Sequence, residues 1–460
     1  MPGRIPDTGD GLPAVRHAGG RHRTDHRRLS CPEVAERRMT PADLQVKLLD
    51  VLNAMIAVGN RGNEAQARRY FYPLSLATFD VDEIMEAVHS MTSFRTTMWE
   101  KTLQFERQFA SYVDCNDAVM VNSGSSADLL LSFLLRNPTN PLLEEGDEVL
   151  VPAVTWPTHI WSPLMAGLKV RLVDVDPATF NIDLDDLEAK IGPRTRALFL
   201  VHLMGNPCQM DRIGALVAKH KLVLLEDCCE ALGAAWNGRQ VGTFGLGGAY
   251  SFFFSHHICT MEGGMISCSS AEVAENLRIM RAHGWMRNAN RPAPPVADPT
   301  LDPRYTFVNW GFNLRPTELQ AGFGLHQLRK LPGFNERREQ IARRIFDVID
   351  RSGHLSRPRA HPLAQPSWFC IPLLVAADAP FTRDDLVRYL ENKGVETRPV
   401  VTGNIARQPA AKLFPDLATG ALPGADAIHD RGLYIGLSPL FTDQVIDRLL
   451  DCLQEFLGAY

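Results

Sequence analysis

The sequence predicts an α/β fold with a mostly parallel central sheet and a smaller α/β domain at the C-terminal end. Three observations predict it. Between Ala118 and Ser267, short apolar runs alternate with longer segments of helical periodicity, the pattern of a sheet covered on both faces. The first run passes directly into a turn of small residues and then into a helix. A Pro-rich break at 357–366 separates this region from a second, shorter series of strand and helix signals ending at Tyr460.

Composition sets the outer limits. A chain of 460 residues exceeds one compact core, and 45% apolar with 22% charged residues is ordinary for a folded protein. The net charge of -5, without a basic stripe, argues against nucleic acid as the main partner. No apolar run approaches the length that crosses a bilayer, so no membrane role is expected. The nine cysteines are irregularly spaced and several fall inside strand-like or helix-like segments. That usage fits reduced thiols in a cytoplasmic protein. Residues 1–38 are rich in Gly, Pro, His and Arg and lack apolar periodicity and an h-region; they are expected to be a disordered leader, with Met39 the expected start.

Taken in order, Thr40-Pro41-Ala42-Asp43 provides a cap and a proline at the first helical position, followed by Leu44, Val46, Leu48, Leu49, Val51 and Leu52. Helical stretches at 82–90 and 98–112 complete an N-terminal helical segment, 39–112. A large domain, 113–334, opens with the strand Ala118-Val119-Met120-Val121. It runs into Asn122-Ser123-Gly124-Ser125-Ser126-Ala127-Asp128, with helix from Leu129 to Leu135. Strand, small-residue turn and helix start offer free N–H groups and a positive dipole end to an anion, although tight turns of this composition are also common without one. Further strands are expected at 148–152, 170–175, 197–201 and 222–227, separated by helices including 184–191 and 210–220. Beyond them come a strand at 265–267 and helices at 271–283, 316–328 and 335–349. The last of these links to a small C-terminal domain, giving a final segment of 335–460.

The ends of three strands carry unusual chemistry. Trp156 follows the second strand, Asp227 ends the fifth, and the run Ser251-Phe252-Phe253-Phe254-Ser255-His256-His257 reads as a buried strand from Gly248 that ends in two histidines before Gly263-Gly264. Open α/β sheets place ligands at that edge. An aromatic plate, a carboxylate and a base beside a phosphate cup are what a pyridine cofactor requires, the carboxylate pairing with the ring nitrogen to keep the ring an electron sink.

These residues resemble the sugar aminotransferase family DegT/DnrJ/EryC1/StrS, from about Phe71 to the C-terminus. The marks are Asn122-Ser123-Gly124-Ser125-Ser126, Thr155-Trp156, Glu226-Asp227, Ser251-Phe252 with Gly263-Gly264, and Gly311-Phe312-Asn313-Leu314-Arg315, in that order. The resemblance implies the fold type I architecture of pyridoxal-phosphate enzymes, with residues 113–334 as the cofactor domain. It also implies a homodimer whose active site is shared between subunits. It assigns Trp156 to stack on the ring, Asp227 to hold the pyridine nitrogen, and Gly124, Ser125 and Ser251 to hold the phosphate. Asn313 would reach the phosphate from the other subunit.

One departure carries the function. Where the family has its Schiff-base lysine this chain has His256, and no lysine occurs between Lys221 and Lys330. Imidazole cannot form that covalent link, so the cofactor would be held noncovalently as pyridoxamine phosphate. Histidine also ionises near neutrality, about pH 6.5, where lysine at about 10.4 is protonated. Glu230, three residues past Asp227, stands where aminotransferases often carry Gln. Both changes resemble the sugar 3-dehydratase branch. That branch implies loss of the hydroxyl at carbon 3 of a nucleotide-linked 4-keto-6-deoxyhexose, His256 acting as base and acid, and L-glutamate regenerating the amine. Glu396-Thr397-Arg398-Pro399 and Gly403-Asn404-Ile405-Ala406-Arg407-Gln408-Pro409 resemble the C-terminal motif of that branch, which implies Arg398 and Arg407 at the sugar nucleotide, where guanidinium suits a diphosphate; the alternative is that both are domain-interface charges. No Cys-x-Cys occurs in the sequence, the loop Arg281–Asn288 has no cysteine, and the remaining thiols lack cluster spacing, so no metal centre is expected. A dehydratase coupled to a separate reductase, and a lysine-less protein that only binds cofactor or sugar, stay open as alternatives.

Overall fold

The computed structural model describes residues 39–66, 69–288, 298, 300–417 and 420–460. The expected leader and most of the Pro-rich loop at 291–303 lie outside them. The chain divides into two compact units after Leu48. Of the first, the described part is the opening of helix α1 (Pro41–Gln66), and all the remaining elements belong to the second.

Helix α2 (Val81–Thr92) begins at a capping box formed by Asp80 and Glu83. Helix α3 (Glu100–Val113) has no such cap of its own. The buried carboxylate of Glu318, distant in sequence, accepts the N–H groups of Lys101 and Thr102 at 2.9 and 3.0 Å and satisfies its open first turn. Strands and helices then alternate as β1 (Asp117–Val121), α4 (Gly124–Leu135), β2 (Glu148–Pro152), α5 (Thr158–Met165), β3 (Lys169–Val173), α6 (Leu184–Lys190), β4 (Thr195–Val201), α7 (Met210–His220) and β5 (Val223–Asp227). The short strands β6 (Ala235–Trp236) and β7 (Arg239–Gln240) precede β8 (Gly247–Ser251), β9 (Gly264–Cys268) and α8 (Ala271–Arg281).

Seven of these strands form one sheet in the order β1-β9-β8-β5-β4-β2-β3. Pairing is parallel from β3 through β8, and β9 runs antiparallel between β8 and β1. Along β2, Val149 and Val151 enter one core and Leu150 the other, as a pleated strand buried on both faces requires.

Three expectations are corrected. The helix after β1 starts at Gly124, not Leu129, so the small-residue run is its own first turn, capped by Ser123 Oγ accepting the N–H of Ser126 at 3.1 Å. The strand expected to reach the paired histidines ends at Ser251. Its partner β9 begins at Gly264, opposite Ser251, so ladder pairing stops there and 252–263 form the connecting loop. The helices expected at 316–328 and 335–349 are one, α9 (Glu318–Arg351), which continues through Pro332. Proline removes one backbone bond, but both flanks are fixed by packing. Ala321, Leu325 and Leu331 lie in the core with Phe105 and Phe252, and Ile341, Ile345 and Ile349 lie under the second sheet.

That second sheet comprises β10 (Leu355–Ser356), β12 (Ile371–Val375), β14 (Gly432–Ile435) and β13 (Thr397–Arg398), all antiparallel, while β11 (Ala364–Gln365) joins β6 and β7. Helices α10 (Arg383–Lys393), α11 (Pro423–Arg431) and α12 (Asp443–Leu457) accompany it. Among the described residues no helix is long and apolar enough to cross a membrane.

Phe105 ties three elements together: its ring lies 5.4 Å from that of Phe252 and 6.3 Å from that of Phe109, and a Cβ on Gly324 of α9 would fall 2.4 Å from it. Phe105→Ala should lower unfolding free energy by about 3–5 kcal/mol, read from urea denaturation, because the rigid surroundings cannot close the cavity.

Candidate active site

The loops at the carboxyl ends of β1, β2, β5 and β8, with residues from the second sheet, enclose a cavity of about 530 Å³. At one end is the first turn of α4. Ser123 Oγ takes the N–H of Ser126, leaving Gly124 and Ser125, which line the cavity, to present theirs to an anion. A Cβ on Gly124 would lie 2.6 Å from Ser251 Cβ and 2.9 Å from Cys229 Sγ. Only glycine fits there, and its absence of a side chain makes the cradle.

Asp227 closes the floor. It is buried, with one carboxylate oxygen 3.4 Å from the N–H of Cys229. The other, Oδ2, lies 3.2 Å from His159 Nε2 but out of line for a hydrogen bond, so it retains acceptor capacity toward a ligand N–H. Burial alone would lower the pKa of His159, but the carboxylates of Asp128 and Asp227 outweigh it and raise it to about 9. Burial opposes ionisation of Asp227 too, but His159 prevails and holds its pKa below the usual range. His159 Nδ1 meets Thr155 Oγ1 at 2.6 Å, fixing the ring.

The adjacent histidines differ in surroundings. His257 is fully buried and its Nε2–H donates to the carbonyl of Ser367 at 2.9 Å. His256 lines the cavity, its ring 5.1 Å from that of Phe369 and its Nδ1 buried without a partner. Burial pushes the His256 pKa down to about 4, Asp227 partly offsetting and Arg338 adding to the effect, so the ring is neutral.

Of the other expected residues, Trp156, Glu230, Ser251 and Arg398 line the cavity. Trp156 is an exposed plate near its mouth. Glu230 accepts the N–H of Met204 at 2.9 Å, and burial raises its pKa to about 7. Arg398 pairs with Glu396 at 2.8 Å. Asn313 is not among the lining residues of this single chain; its side chain accepts from Arg315 Nε at 2.9 Å. Arg407 is not among the residues lining the cavity; its guanidinium lies 2.7 Å from Asp430 and 3.5 Å from Asp426 on α11, a pairing within the C-terminal segment rather than across a domain interface. Sequence reasoning missed Asp128, His159, Phe369 and Tyr434, all of which line the cavity. His159 had a signal: it follows Trp156 by one helical turn.

The donors suit pyridoxal or pyridoxamine phosphate: a backbone anion cradle, a plate, and a buried carboxylate with an open acceptor. Among the lining residues there is no lysine.

The model of the DegT/DnrJ/EryC1/StrS aminotransferase family matches residues 78–454. The chain is 37% identical over 388 residues to GDP-4-keto-6-deoxy-D-mannose 3-dehydratase of Yersinia pseudotuberculosis, covering 84% of this chain and 98% of that one. It is 36% identical to dTDP-4-dehydro-2,6-dideoxy-D-glucose 3-dehydratase of Saccharopolyspora spinosa, covering 83% and 86%. Its structure resembles that of GDP-4-keto-6-deoxymannose-3-dehydratase with a trapped PLP–glutamate geminal diamine, with a TM-score of 0.79, 36% identity, and coverage of 83% of this chain and 100% of that one.

Because His256 has a folded pKa below its ordinary 6.5, the folded state binds fewer protons than the unfolded chain as pH falls. Its contribution is therefore intact above pH 6.5 and is progressively lost down to about pH 4. In urea titrations of the cofactor-free protein, the stability difference between wild type and His256→Asn should be constant above that window and shift in favour of the variant within it.

Proposed function

The chain belongs to the DegT/DnrJ/EryC1/StrS aminotransferase family, and from that premise we propose that it is a pyridoxamine-phosphate-dependent 3-dehydratase of nucleotide-linked 4-keto-6-deoxyhexoses in deoxysugar biosynthesis. The observation that carries this reading is a cavity built for the cofactor in which a histidine, and no lysine, lines the wall. The 3-dehydratases of Yersinia and Saccharopolyspora support it, and because one acts on a GDP-linked and the other on a dTDP-linked sugar, the nucleotide stays open.

Pyridoxamine phosphate, when bound, supplies a primary amine for the 4-keto group and a ring that takes up electrons. The chain supplies the rest. Gly124 and Ser125 N–H groups and the Ser251 hydroxyl hold the phosphate, Trp156 covers the ring face, and the ionised Asp227 accepts the pyridine N–H. His256, neutral and able to gain one proton, serves first as base and then as acid, delivering that proton to the oxygen leaving sugar carbon 3. A protonated amine in its place could not begin by accepting one. Arg398 offers its guanidinium to the diphosphate. L-glutamate serves as amino donor, a role supported by the relative with the PLP–glutamate adduct. The working form is a cytoplasmic homodimer, in which Asn313 of one subunit completes the phosphate site of the other.

The test is turnover with pyridoxamine phosphate, L-glutamate and a panel of 4-keto sugar nucleotides. Release of a 3-deoxy sugar without added reductant is expected. Strict need for a reductant would transfer the protein to the reductase-coupled class, and cofactor binding without turnover would refute the enzymatic reading. His256→Asn should lower kcat by about 10²–10⁴-fold while the affinity for pyridoxamine phosphate, measured by fluorescence titration, stays within a few-fold.

A further inference from the structure

A second carboxylate stands behind the one assigned to the cofactor ring. Asp128, in the second turn of α4, is 2% exposed. Its Oδ2 accepts the hydroxyl of Thr158 at 2.8 Å and lies 3.5 Å from His159 Nε2. Its Oδ1 is buried and has no hydrogen-bond partner. An acid in such a place is costly unless a cation compensates it, and the cation available is His159. His159 Nε2 thus faces two carboxylates, Asp227 at 3.2 Å and Asp128 at 3.5 Å, while its Nδ1 is held by Thr155.

The charge count gives this arrangement a purpose. One carboxylate beside one imidazolium is a neutral pair, with little left to attract a protonated ring nitrogen. Two carboxylates around one imidazolium keep a net charge of minus one at the cavity floor once both are ionised. For Asp128 that means above about pH 7, because burial and the Asp227 carboxylate push its pKa up to about 7 against the pull of His159. We propose that Asp128 is a positioning residue: by sharing the His159 cation it leaves Asp227 the full negative charge that keeps a bound pyridine nitrogen protonated. The inference rests on the proposed cofactor reading. The other ionisable groups lining the cavity are Cys229 and Glu230 after β5, His256 and Glu262 from the loop after β8, Arg398 of β13 and Tyr434 of β14. Glu230 is engaged with the N–H of Met204. Asp128 is the one that joins Asp227 at the His159 ring nitrogen.

Asp128→Asn keeps shape and can still accept from Thr158, but removes the charge. In the cofactor-free protein, the His159 pKa, followed by NMR, should fall by at least about one unit. In protein loaded with ¹⁵N-labelled pyridoxal phosphate, the ring-nitrogen chemical shift should move toward the unprotonated value. The alkaline limb of the kcat–pH profile should shift to lower pH, with KM for the sugar nucleotide changed less than kcat. Thr158→Val, which removes only the hydroxyl that steadies Asp128, should move both NMR signals in the same direction by less. The proposal is overturned if either variant folds and leaves both signals where the wild type has them, whether or not activity changes. Failure of wild-type protein to bind pyridoxal phosphate would count against the functional reading instead, while the His159 titration would still decide the role of Asp128.

Discussion

Everything at the site depends on how closely three stretches of backbone approach one another. A side-chain carbon on Gly264 would fall 2.4 Å from the carbonyl of Ser123 and 2.7 Å from the nitrogen of Gly124, and one on Gly124 would strike Ser251. Van der Waals contact between carbons begins near 3.5 Å, so a methyl at either position would force the first turn of α4 away from the β8–β9 hairpin. Their closeness puts the helix N-terminus, the end of β8 and the loop bearing His256 around one volume. The same hairpin is antiparallel inside an otherwise parallel region. That reversal is why the chain after Ser251 turns back as a short loop rather than crossing over through a helix.

Within that frame the charges are sorted by the pleat of β5. Glu226 and Asp227 are consecutive, so their side chains leave the sheet on opposite faces. Glu226 accepts the N–H groups of Gly242, Phe244 and Gly245 at 2.7–2.8 Å and meets His202 Nε2 at 3.1 Å. His202 Nδ1 accepts the N–H of Cys208, so Nε2 carries the proton and donates to Glu226. This carboxylate is fully used in holding a turn. Asp227, by contrast, keeps an oxygen open toward the cavity. Two acids of the same strand end are thus divided between architecture and chemistry by side-chain alternation alone.

How much of this could be read in the sequence follows from the range of the interactions. The alternation of strands and helices was legible because it rests on local periodicity and on turns of small residues. The candidate residues at strand ends were legible for the same reason: an α/β sheet brings its carboxyl ends to one edge. The difference between His256 and His257 was not, since it depends on the carbonyl of Ser367, 110 residues away from His257. Nor was the environment of Asp227, which comes from Asp128 on α4 and His159 on α5 meeting below it. Arg407 was expected at the sugar nucleotide or at a domain interface because its partners, Asp426 and Asp430, are one helical turn apart on α11 and face it only once the chain has folded. The continuity of α9 through Pro332 was hidden because a local rule about proline was overridden by two separate cores holding the two ends of the helix.

The segment before β12 shows how a base can be positioned without a covalent tether. Ser367 N–H donates to the carbonyl of Gly205, and Phe369 N–H donates to that of Met204. Gly205 has φ +86°, and a Cβ there would lie 1.8 Å from the Ser367 carbonyl oxygen, so only glycine permits this approach. The Ser367 carbonyl then receives His257, and the Phe369 ring packs against both histidines at 5.1 and 6.1 Å. Arg338 of α9 donates to the carbonyl of Phe369 at 3.1 Å and to that of Leu437 at 2.7 Å, tying the segment to the second sheet. His256 is therefore held through its neighbour and through an aromatic wall whose own position is set from both sides of the cavity. Arg398 and Tyr434, on β13 and β14, line the same volume. A lysine bonded to its cofactor is located by that bond, whereas an imidazole must be located by packing, and here that packing comes from both sheets.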